Sequence, residues 1–345
     1  MMFASDNTGP AHPKVMEAMM AANTYAMPYG NDPLSAEVRD GLRALFEAPD
    51  ASVHLVSLGT AANALALALM AKPWDAVFCH RIAHVQQDEA GAPEFYTNGA
   101  KLTLVDGAHG KMTPEGLRAA MADAGGSVHS VQRGPVTITN VTEVGTVYSI
   151  TEIKALCDVA HEFGSQVHLD GARFANACAA LGCTPAEMTW KAGIDAVSFG
   201  GTKNGCLAVE AIIFFDPSKS WELEMRRKRA GHLWSKYKFL SAQMQAYIKD
   251  DLWLEMAQAA NARGAELAAG LRDVPGARFH HEPAANMIFV DLPRAAHKRA
   301  KAAGAQYSLF GDAEGADDEL VGCRLVCDWS FSSDAVQRAL ALWRG

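Results

Sequence analysis

Polar residues with distinct chemistry follow several apolar runs of this sequence. Gly59 and Thr60 come directly after SVHLVSL, Asp170 ends QVHLD, and Lys203 follows AVSFGG with glycines on both sides. A glycine and a hydroxyl at the start of a helix can hold a phosphate group, because the first backbone N–H groups of a helix have no partner within it. A lysine at such a strand end can form an imine with an aldehyde once its pKa is lowered.

Each of these residues also has an ordinary interpretation. Thr60 could simply cap a helix, Asp170 could cap the next helix or tie a loop, and Lys203 could be an exposed loop lysine. The combination is more specific than its members. A phosphate site, an acid for a pyridine nitrogen and an imine-forming lysine are the groups that pyridoxal 5'-phosphate (PLP) requires.

Two further side chains could complete such a site. His84 follows the run AVFCH and could stack on the cofactor ring, while Arg173, three residues after Asp170, could pair with Asp170 or bind a substrate carboxylate. His84 and Asp88 would share one helix face and could form a metal pair. No second pair of ligands is visible, so we expect no metal site.

The pattern along the chain is an alternation of strands and helices. Seven apolar runs between residues 52 and 216 predict strands, and the stretches between them have helix start signals, such as the capping box of Ser149 and Glu152. This predicts an α/β fold with a mostly parallel sheet covered by helices.

A long helical stretch is expected over 221–272. Two more strand-like runs, 286–293 and 323–330, predict a smaller C-terminal α/β domain, so we divide the chain into residues 1–248, with a short N-terminal arm over 1–15, and residues 249–345.

Composition excludes some classes of partner. The 345 residues have a formal net charge of −8, which argues against general affinity for nucleic acid or an anionic membrane. No run approaches the length of a membrane span, and the N-terminus does not read as a signal peptide. The seven cysteines form no CxxC pair, as expected for reduced thiols. We therefore expect a cytoplasmic protein that acts on a small molecule.

Longer motifs resemble one known family. The segments SDNTGPAHPKVMEAM, GTAANALAL, HVQQDEAGAPEFYTNGAKL, TEVGTVYS, HLDGARFANA and SFGGTKNG are similar to those of the L-threonine aldolases, in the low-specificity branch that also cleaves phenylserine. The resemblance extends from Ser5 to about Trp329. It implies fold type I of the PLP-dependent transferases, with a seven-stranded sheet in the large domain, a small C-terminal domain, and a homotetramer built as a dimer of dimers with active sites at the dimer interface.

The resemblance also assigns roles by motif. Lys203 matches the lysine that holds PLP, Asp170 the partner of the pyridine nitrogen, and His84 the stacking histidine. The remaining matches are Gly59, Thr60 and Thr202 for the phosphate; Ser5, Arg173 and Arg324 for the substrate carboxylate; His129 for a second histidine near the substrate hydroxyl; and Tyr29 for a tyrosine that approaches the neighbouring subunit's site. Glu143 stands where other branches have different polar residues, so it could tune the substrate range.

The implied reaction is a retro-aldol cleavage. Threonine, allo-threonine or phenylserine would give glycine and an aldehyde, with His84 or His129 as the base or as the group that positions a water. The sequence leaves open which histidine acts. Alternatives are another fold-type-I activity, such as a β-eliminating lyase or an aminotransferase, and a non-catalytic binding protein on this scaffold.

Overall fold

The computed structural model describes residues 1–345 and contains eleven strands and fourteen α-helices. The strands are β1 Ser52–Val56, β2 Asp75–His80, β3 Lys101–Val105, β4 Gln132–Thr139, β5 Val167–Gly171, β6 Ala196–Gly200, β7 Glu210–Phe214, β8 Arg278–Phe279, β9 Met287–Pro293, β10 Ser308–Leu309 and β11 Leu320–Val326. The helices are α1 Pro13–Ala21, α2 Pro33–Leu45, α3 Gly59–Met70, α4 His84–Gln87, α5 Ala92–Tyr96, α6 Pro114–Asp123, α7 Ile150–Glu162, α8 Phe174–Leu181, α9 Pro185–Met188, α10 Ser220–Arg229, α11 Lys238–Ile248, α12 Leu252–Leu271, α13 Arg294–Ala302 and α14 Ser333–Arg344.

The large sheet has seven strands in the order β1-β7-β6-β5-β4-β2-β3. Strand β7 is antiparallel to both of its neighbours, and the pairings among β6, β5, β4, β2 and β3 are parallel. The expected seven-stranded, mostly parallel sheet is therefore confirmed. In such a sheet the carboxyl ends of the parallel strands lie along one edge, and that edge is where ligands bind in open α/β folds.

Both faces of the large sheet are covered by helices. Helix α3, an almost entirely apolar helix, packs on one face together with α10. The other face is covered by a core of 50 buried residues that includes side chains of α2, α6, α7, α8 and α11. Strands β1, β2, β5, β6 and β7 are buried along their whole length, so their residues form continuous runs rather than an alternating pattern. This is why these runs were visible in the sequence.

The second sheet has four strands in the order β10-β11-β9-β8 and a separate core with α13 and α14. The first residues of the chain join this smaller unit: Phe3 is fully buried in its core, and the Phe3 amide donates to the carbonyl of Gln306 over 2.7 Å. Helix α12 packs against α8 of the large unit and α14 of the small one. A domain boundary between residues 248 and 249 stays a prediction.

Some local predictions are confirmed and one is wrong. The capping box of Ser149 and Glu152 is present at the start of α7. The long helical stretch predicted over 221–272 is interrupted twice, after α10 by Gly231 at φ +77° and before α12 by a short turn in which Asp250 and Asp251 have positive φ. None of the helices is long and apolar enough to cross a membrane.

Gly205 ends the short 3-10 turn that holds Lys203. Its φ is +92°, in the left-handed region where side chains are strained, and a Cβ atom would lie 2.5 Å from Sδ of the buried Met256. A glycine is needed here for two reasons, backbone conformation and close packing against α12. This explains one of the two glycines that flank the lysine.

We expect Gly205→Ala to destabilise the protein by about 2–4 kcal/mol, because it adds overpacking to the strain of the left-handed backbone. Gly164→Ala is the matched control, since Gly164 has a φ of +73° but open space around its Cβ position. It should cost only about 1 kcal/mol. Urea unfolding of both variants measures the difference. Equal losses of unfolding free energy in the two variants would show that the close approach of the added Cβ atom to Met256 costs nothing.

Candidate active site

A cavity of about 230 Å³ lies at the carboxyl edge of the large sheet. It is lined by residues that follow β1, β2, β4, β5 and β6, as the parallel topology requires. Seven residues predicted from the sequence line it together: Gly59, Thr60, His84, Asp170, Arg173, Thr202 and Lys203. The lining also includes Asn7, Ser57, Asn63, Thr139, Glu143 and Glu210.

The N-terminus of α3 forms one wall of the cavity. The helix begins at Gly59, its N-cap is Leu58, and no side chain caps it. Thr60 is therefore not the N-cap, and its hydroxyl remains available to a ligand. Unpaired backbone N–H groups together with a hydroxyl favour an anion at this position.

A chain of buried polar groups connects Asp170 to His84. The amide of Asn63 donates to Asp170 Oδ2 and to Glu89 Oε1, both over 2.9 Å, and Glu89 Oε1 lies 2.8 Å from His84 Nδ1. The other oxygen of Asp170 accepts the backbone N–H of Ala172 over 3.0 Å. Asp170 is thus held in one orientation at the end of β5.

The same contacts set the charge of the histidine. The hydrogen bond to Glu89 raises the pKa of His84. Burial raises the pKa of Glu89, with nearby Asp170 acting in the same direction. The pair of His84 and Glu89 therefore holds a proton more readily than either group would in water.

Lys203 lies in the short 3-10 turn Thr202–Asn204 after β6. Burial and the positive charge of Arg173 lower the pKa of its ammonium group, which favours the neutral amine that an imine-forming lysine needs. Glu210 of β7 lies nearby and accepts the backbone N–H of Gly201 over 3.0 Å. Burial raises the pKa of Glu210 to about 7.

Arg173 makes a two-pronged ion pair with a carboxylate from the N-terminus. Its Nε donates to Asp6 Oδ2 over 2.6 Å and its Nη2 to Asp6 Oδ1 over 2.8 Å. The amide of Asn286, just before β9, donates to the same carboxylate over 3.2 Å. Burial alone would raise the pKa of Asp6, but the positive charges of Arg173 and Lys203 outweigh it and hold that pKa below its usual value.

The other two predicted carboxylate ligands lie beside this pair but do not line the cavity. Ser5 caps the short 3-10 turn Asp6–Thr8, where its hydroxyl accepts the N–H of Asn7 over 3.2 Å. Arg324 of β11 donates through Nη2 to the carbonyl of Ala4 over 3.0 Å, and its buried Nε has no partner. Burial and the charge of Arg173 lower the pKa of Arg324.

Two further sequence-predicted residues, His129 and Tyr29, also do not line the cavity. His129 lies in an exposed turn just before β4 begins, and therefore at the edge of the sheet opposite the strand ends that form the site. It does not line the cavity of its own chain, and its predicted place near the substrate hydroxyl stays a prediction. Tyr29 lies away from the cavity as well, with Lys228 Nζ 4.9 Å above its ring.

Sequence reasoning missed the partners of the predicted residues. Asp6 follows Ser5 in the motif SDN, Asn63 lies in GTAANALAL, and Glu89 lies in HVQQDE, so all three stand inside recognised motifs. Spacing does not show which buried residues meet. The signal that could have found them is burial itself, since a polar residue within an apolar helix such as α3 must have a hydrogen-bond partner.

A family model described as β-eliminating lyase matches residues 2–294. The chain belongs to the β-eliminating lyase family. The low-specificity L-threonine aldolase of Pseudomonas aeruginosa is 42% identical to this lyase-family chain over 337 residues, which cover 97% of this chain and 94% of that protein. The solved structure of Leishmania major threonine aldolase matches with a TM-score of 0.92 and 29% identity, covering 99% of this chain and 98% of that one.

A more distant solved structure shares the same fold. Sphingomonas wittichii serine palmitoyltransferase matches with a TM-score of 0.72 at 14% identity, covering 100% of this chain and 86% of that one, which shows the fold alone. The fold is that of the fold-type-I PLP enzymes. The cavity also fits this cofactor, because it offers an uncapped helix N-terminus, a fixed buried Asp170 and an amine, Lys203, whose pKa is lowered.

We expect Asp6→Asn to lower the free energy of unfolding at pH 7 by about 3–5 kcal/mol, because it leaves the charge of Arg173 without its partner. The sign of the pH dependence follows from the lowered pKa of Asp6. The contribution is complete above the usual aspartate value of 3.8 and is lost as the pH falls through the lower folded value. Urea unfolding at pH 7 and at a series of pH values extending below 3.8 measures it.

The exposed pair of Lys298 and Asp317 provides the control for this prediction. Its atoms are 2.8 Å apart but lie in solvent, so Asp317→Asn should not change stability measurably. Two results would contradict the assignment of this energy to the buried ion pair. One is a small difference in the free energy of unfolding between wild type and Asp6→Asn at pH 7, and the other is a difference that grows as the pH falls.

Proposed function

We propose that this protein catalyses the PLP-dependent retro-aldol cleavage of L-threonine, L-allo-threonine or related β-hydroxy-α-amino acids such as phenylserine into glycine and an aldehyde. The relatives named as threonine aldolases support the reaction, and the polar cavity supports an amino-acid substrate. The observation on which the proposal depends most is that Lys203, Asp170 and an uncapped helix N-terminus meet in one cavity at the carboxyl edge of the sheet.

Each residue then has a role that its environment supports. PLP, when bound, supplies a conjugated ring that takes up the electron pair left when the Cα–Cβ bond breaks. Lys203 would supply the amine that holds the cofactor, and Asp170 would keep the pyridine nitrogen protonated. Gly59, Thr60 and Thr202 would bind the phosphate, and His84 would contact the ring.

The substrate carboxylate is assigned to the positive region formed by Arg173 and Arg324, with Ser5 beside them. Asp6 fixes the guanidinium plane of Arg173 through two hydrogen bonds. A fixed guanidinium orients the carboxylate, and the carboxylate in turn orients the Cα–Cβ bond relative to the ring. A β-elimination or amino transfer would use the same anchors, so the products must be identified directly.

The test is the visible spectrum of wild type and Lys203→Ala after incubation with PLP, before and after threonine and then phenylserine are added. Before substrate is added, we expect an imine band in wild type and none in Lys203→Ala. After it is added, we expect release of aldehyde with glycine in wild type only. Lys154→Ala, which changes an exposed lysine paired with Asp158, is the control and should behave as wild type.

Other products would point to other activities. Pyruvate and ammonia from serine would indicate a β-eliminating lyase, and amino transfer to a keto acid would indicate an aminotransferase. A wild-type protein without an imine band would contradict the proposed arrangement of Lys203, Asp170 and Thr60 around one cofactor, and would favour a non-catalytic binding protein.

We further propose that the protein is a homo-oligomer, a dimer of dimers. Tyr25 is fully exposed, and Met20 and Met27 are 77% and 65% exposed. Met20 lies in α1, and Tyr25 and Met27 lie in the segment after it, where they line a surface pocket together with Ser235. Large apolar side chains grouped on a surface are typical of an interface.

The predicted cytoplasmic location stays a prediction.

Light scattering should give a mass near four times the 36.9 kDa of one chain, about 148 kDa. We expect the double variant Tyr25→Asp, Met27→Asp to shift the mass to a smaller species, because the charges oppose burial. Trp74→Asp, at an exposed tryptophan between α3 and β2, is the control and should leave the mass unchanged. A wild-type mass near 37 kDa would contradict the oligomer.

A further inference from the structure

Glu143 lies in a rigid turn at the edge of the cavity. The turn follows β4 and is closed by hydrogen bonds from the N–H of Gly145 to the carbonyl of Thr142 and from the N–H of Thr142 to the carbonyl of Thr146, both over 2.9 Å. The two threonine hydroxyls are 2.7 Å apart, and that of Thr146 also donates to the carbonyl of His109. A side chain on such a turn is held in position before any ligand arrives.

The carboxylate of Glu143 is only half satisfied. Its Oε1 accepts the backbone N–H of His84 over 2.7 Å, whereas its Oε2 is buried and has no hydrogen-bond partner. Glu143 lines the cavity together with Lys203 and Arg173. A buried acceptor without a partner is costly to keep, and a substrate O–H group would satisfy it.

The surroundings of Glu143 suit it to proton transfer at neutral pH. Burial raises the pKa of Glu143 to about 7, and nearby Asp170 acts in the same direction. The backbone N–H of Glu143 itself, the N–H of His84 and the hydroxyl of Thr139 oppose this rise. Cys79 of β2 and Tyr148 near the start of α7 are also close to it, and their raised pKa values keep them neutral. The charged groups that share the cavity with it are Lys203, Arg173 and Glu210, and burial raises the pKa of Glu210 as well. A base whose pKa lies near the working pH is the most effective.

The histidine of the site is less suited to this task. The Nδ1 of His84 is already engaged by Glu89 Oε1 over 2.8 Å, a hydrogen bond that also raises the pKa of the ring, whereas Glu143 keeps an oxygen without a partner. His129, the other histidine predicted from the sequence, does not line the cavity. Glu89 beside His84 also has a buried oxygen without a partner, but Glu89 does not line the cavity. Within one chain, Glu143 is therefore the cavity-lining carboxylate whose second oxygen is free to accept a proton.

Building on the proposed function, we propose that the carboxylate of Glu143 accepts the β-hydroxyl proton of the substrate. The O–H electron pair becomes the second bond of the aldehyde C=O. The Cα–Cβ bond breaks, its electron pair stays on the Cα side, and a proton added to Cα then gives glycine. The protonated Glu143 returns its proton to solvent before the next turnover.

The experiment compares two reactions of the PLP-loaded protein. Phenylserine cleavage requires the β-hydroxyl proton to leave, whereas exchange of the glycine Cα proton with D₂O, followed by NMR, uses the same site without any hydroxyl. Glu143→Gln retains an oxygen for the N–H of His84 but is no longer a base. Glu94→Gln is the control, because Glu94 also has a buried oxygen without a partner but lies outside the cavity.

We expect Glu143→Gln to lower kcat/KM for phenylserine by about 10²–10⁴-fold, with PLP affinity and glycine exchange within about threefold of wild type. The active carboxylate form exists above the raised pKa, so wild-type kcat/KM should rise as the pH passes about 7. This rise should be absent in Glu143→Gln and present in Glu94→Gln.

Three results would overturn the inference. Equal losses of cleavage and glycine exchange in Glu143→Gln would make the residue merely structural. Cleavage within threefold of wild type would remove it from the proton transfer while leaving the proposed function intact. A wild-type protein that exchanges the glycine proton but cleaves none of the three amino acids would overturn the retro-aldol function, and with it the role of Glu143.

Discussion

The buried ion pair of Asp6 and Arg173 connects the parts of the chain that surround the cavity. Arg173 lies between β5 and α8, and Asp6 comes from the N-terminus. Asn286, just before β9 of the small sheet, donates to the same carboxylate. Two charges removed from water must compensate each other, so neither can move independently. The N-terminal segment is held at its other side by Phe3, which is buried in the small core. One electrostatic constraint therefore fixes the small unit relative to the strand ends.

The other charges of the cavity depend on this arrangement. Arg173 contributes to the lowered pKa values of Lys203 and Arg324, since positive groups close together in a buried region disfavour one another. On the opposite side, the amide of Asn63 keeps the carboxylates of Asp170 and Glu89 in fixed positions. The site is thus divided into a positive side suited to anions and an acidic side suited to holding and moving protons.

The strand ends explain why so many residue types meet in so small a volume. Each parallel strand delivers one loop to the same edge, and each loop brings a different chemical group: the helix N-terminus after β1, His84 after β2, Glu143 after β4, Asp170 at β5 and Lys203 after β6. The antiparallel strand β7 adds a buried carboxylate from its first residue, because it runs in the opposite direction. Loop changes at this edge can alter substrate range without altering the sheet.

The sequence by itself determined the seven-stranded α/β fold and the group of residues around the cavity, because buried parallel strands leave continuous apolar runs and each strand end is marked by glycine or polar residues. Lys203 and Asp170 were found in this way. Only the tertiary structure decided the partners, such as Asp6 for Arg173 and Glu89 for His84, and only it removed His129 from the cavity of its own chain. Pairing between residues far apart in sequence depends on how helices and sheets pack, and hydrophobic periodicity contains no information about that distance.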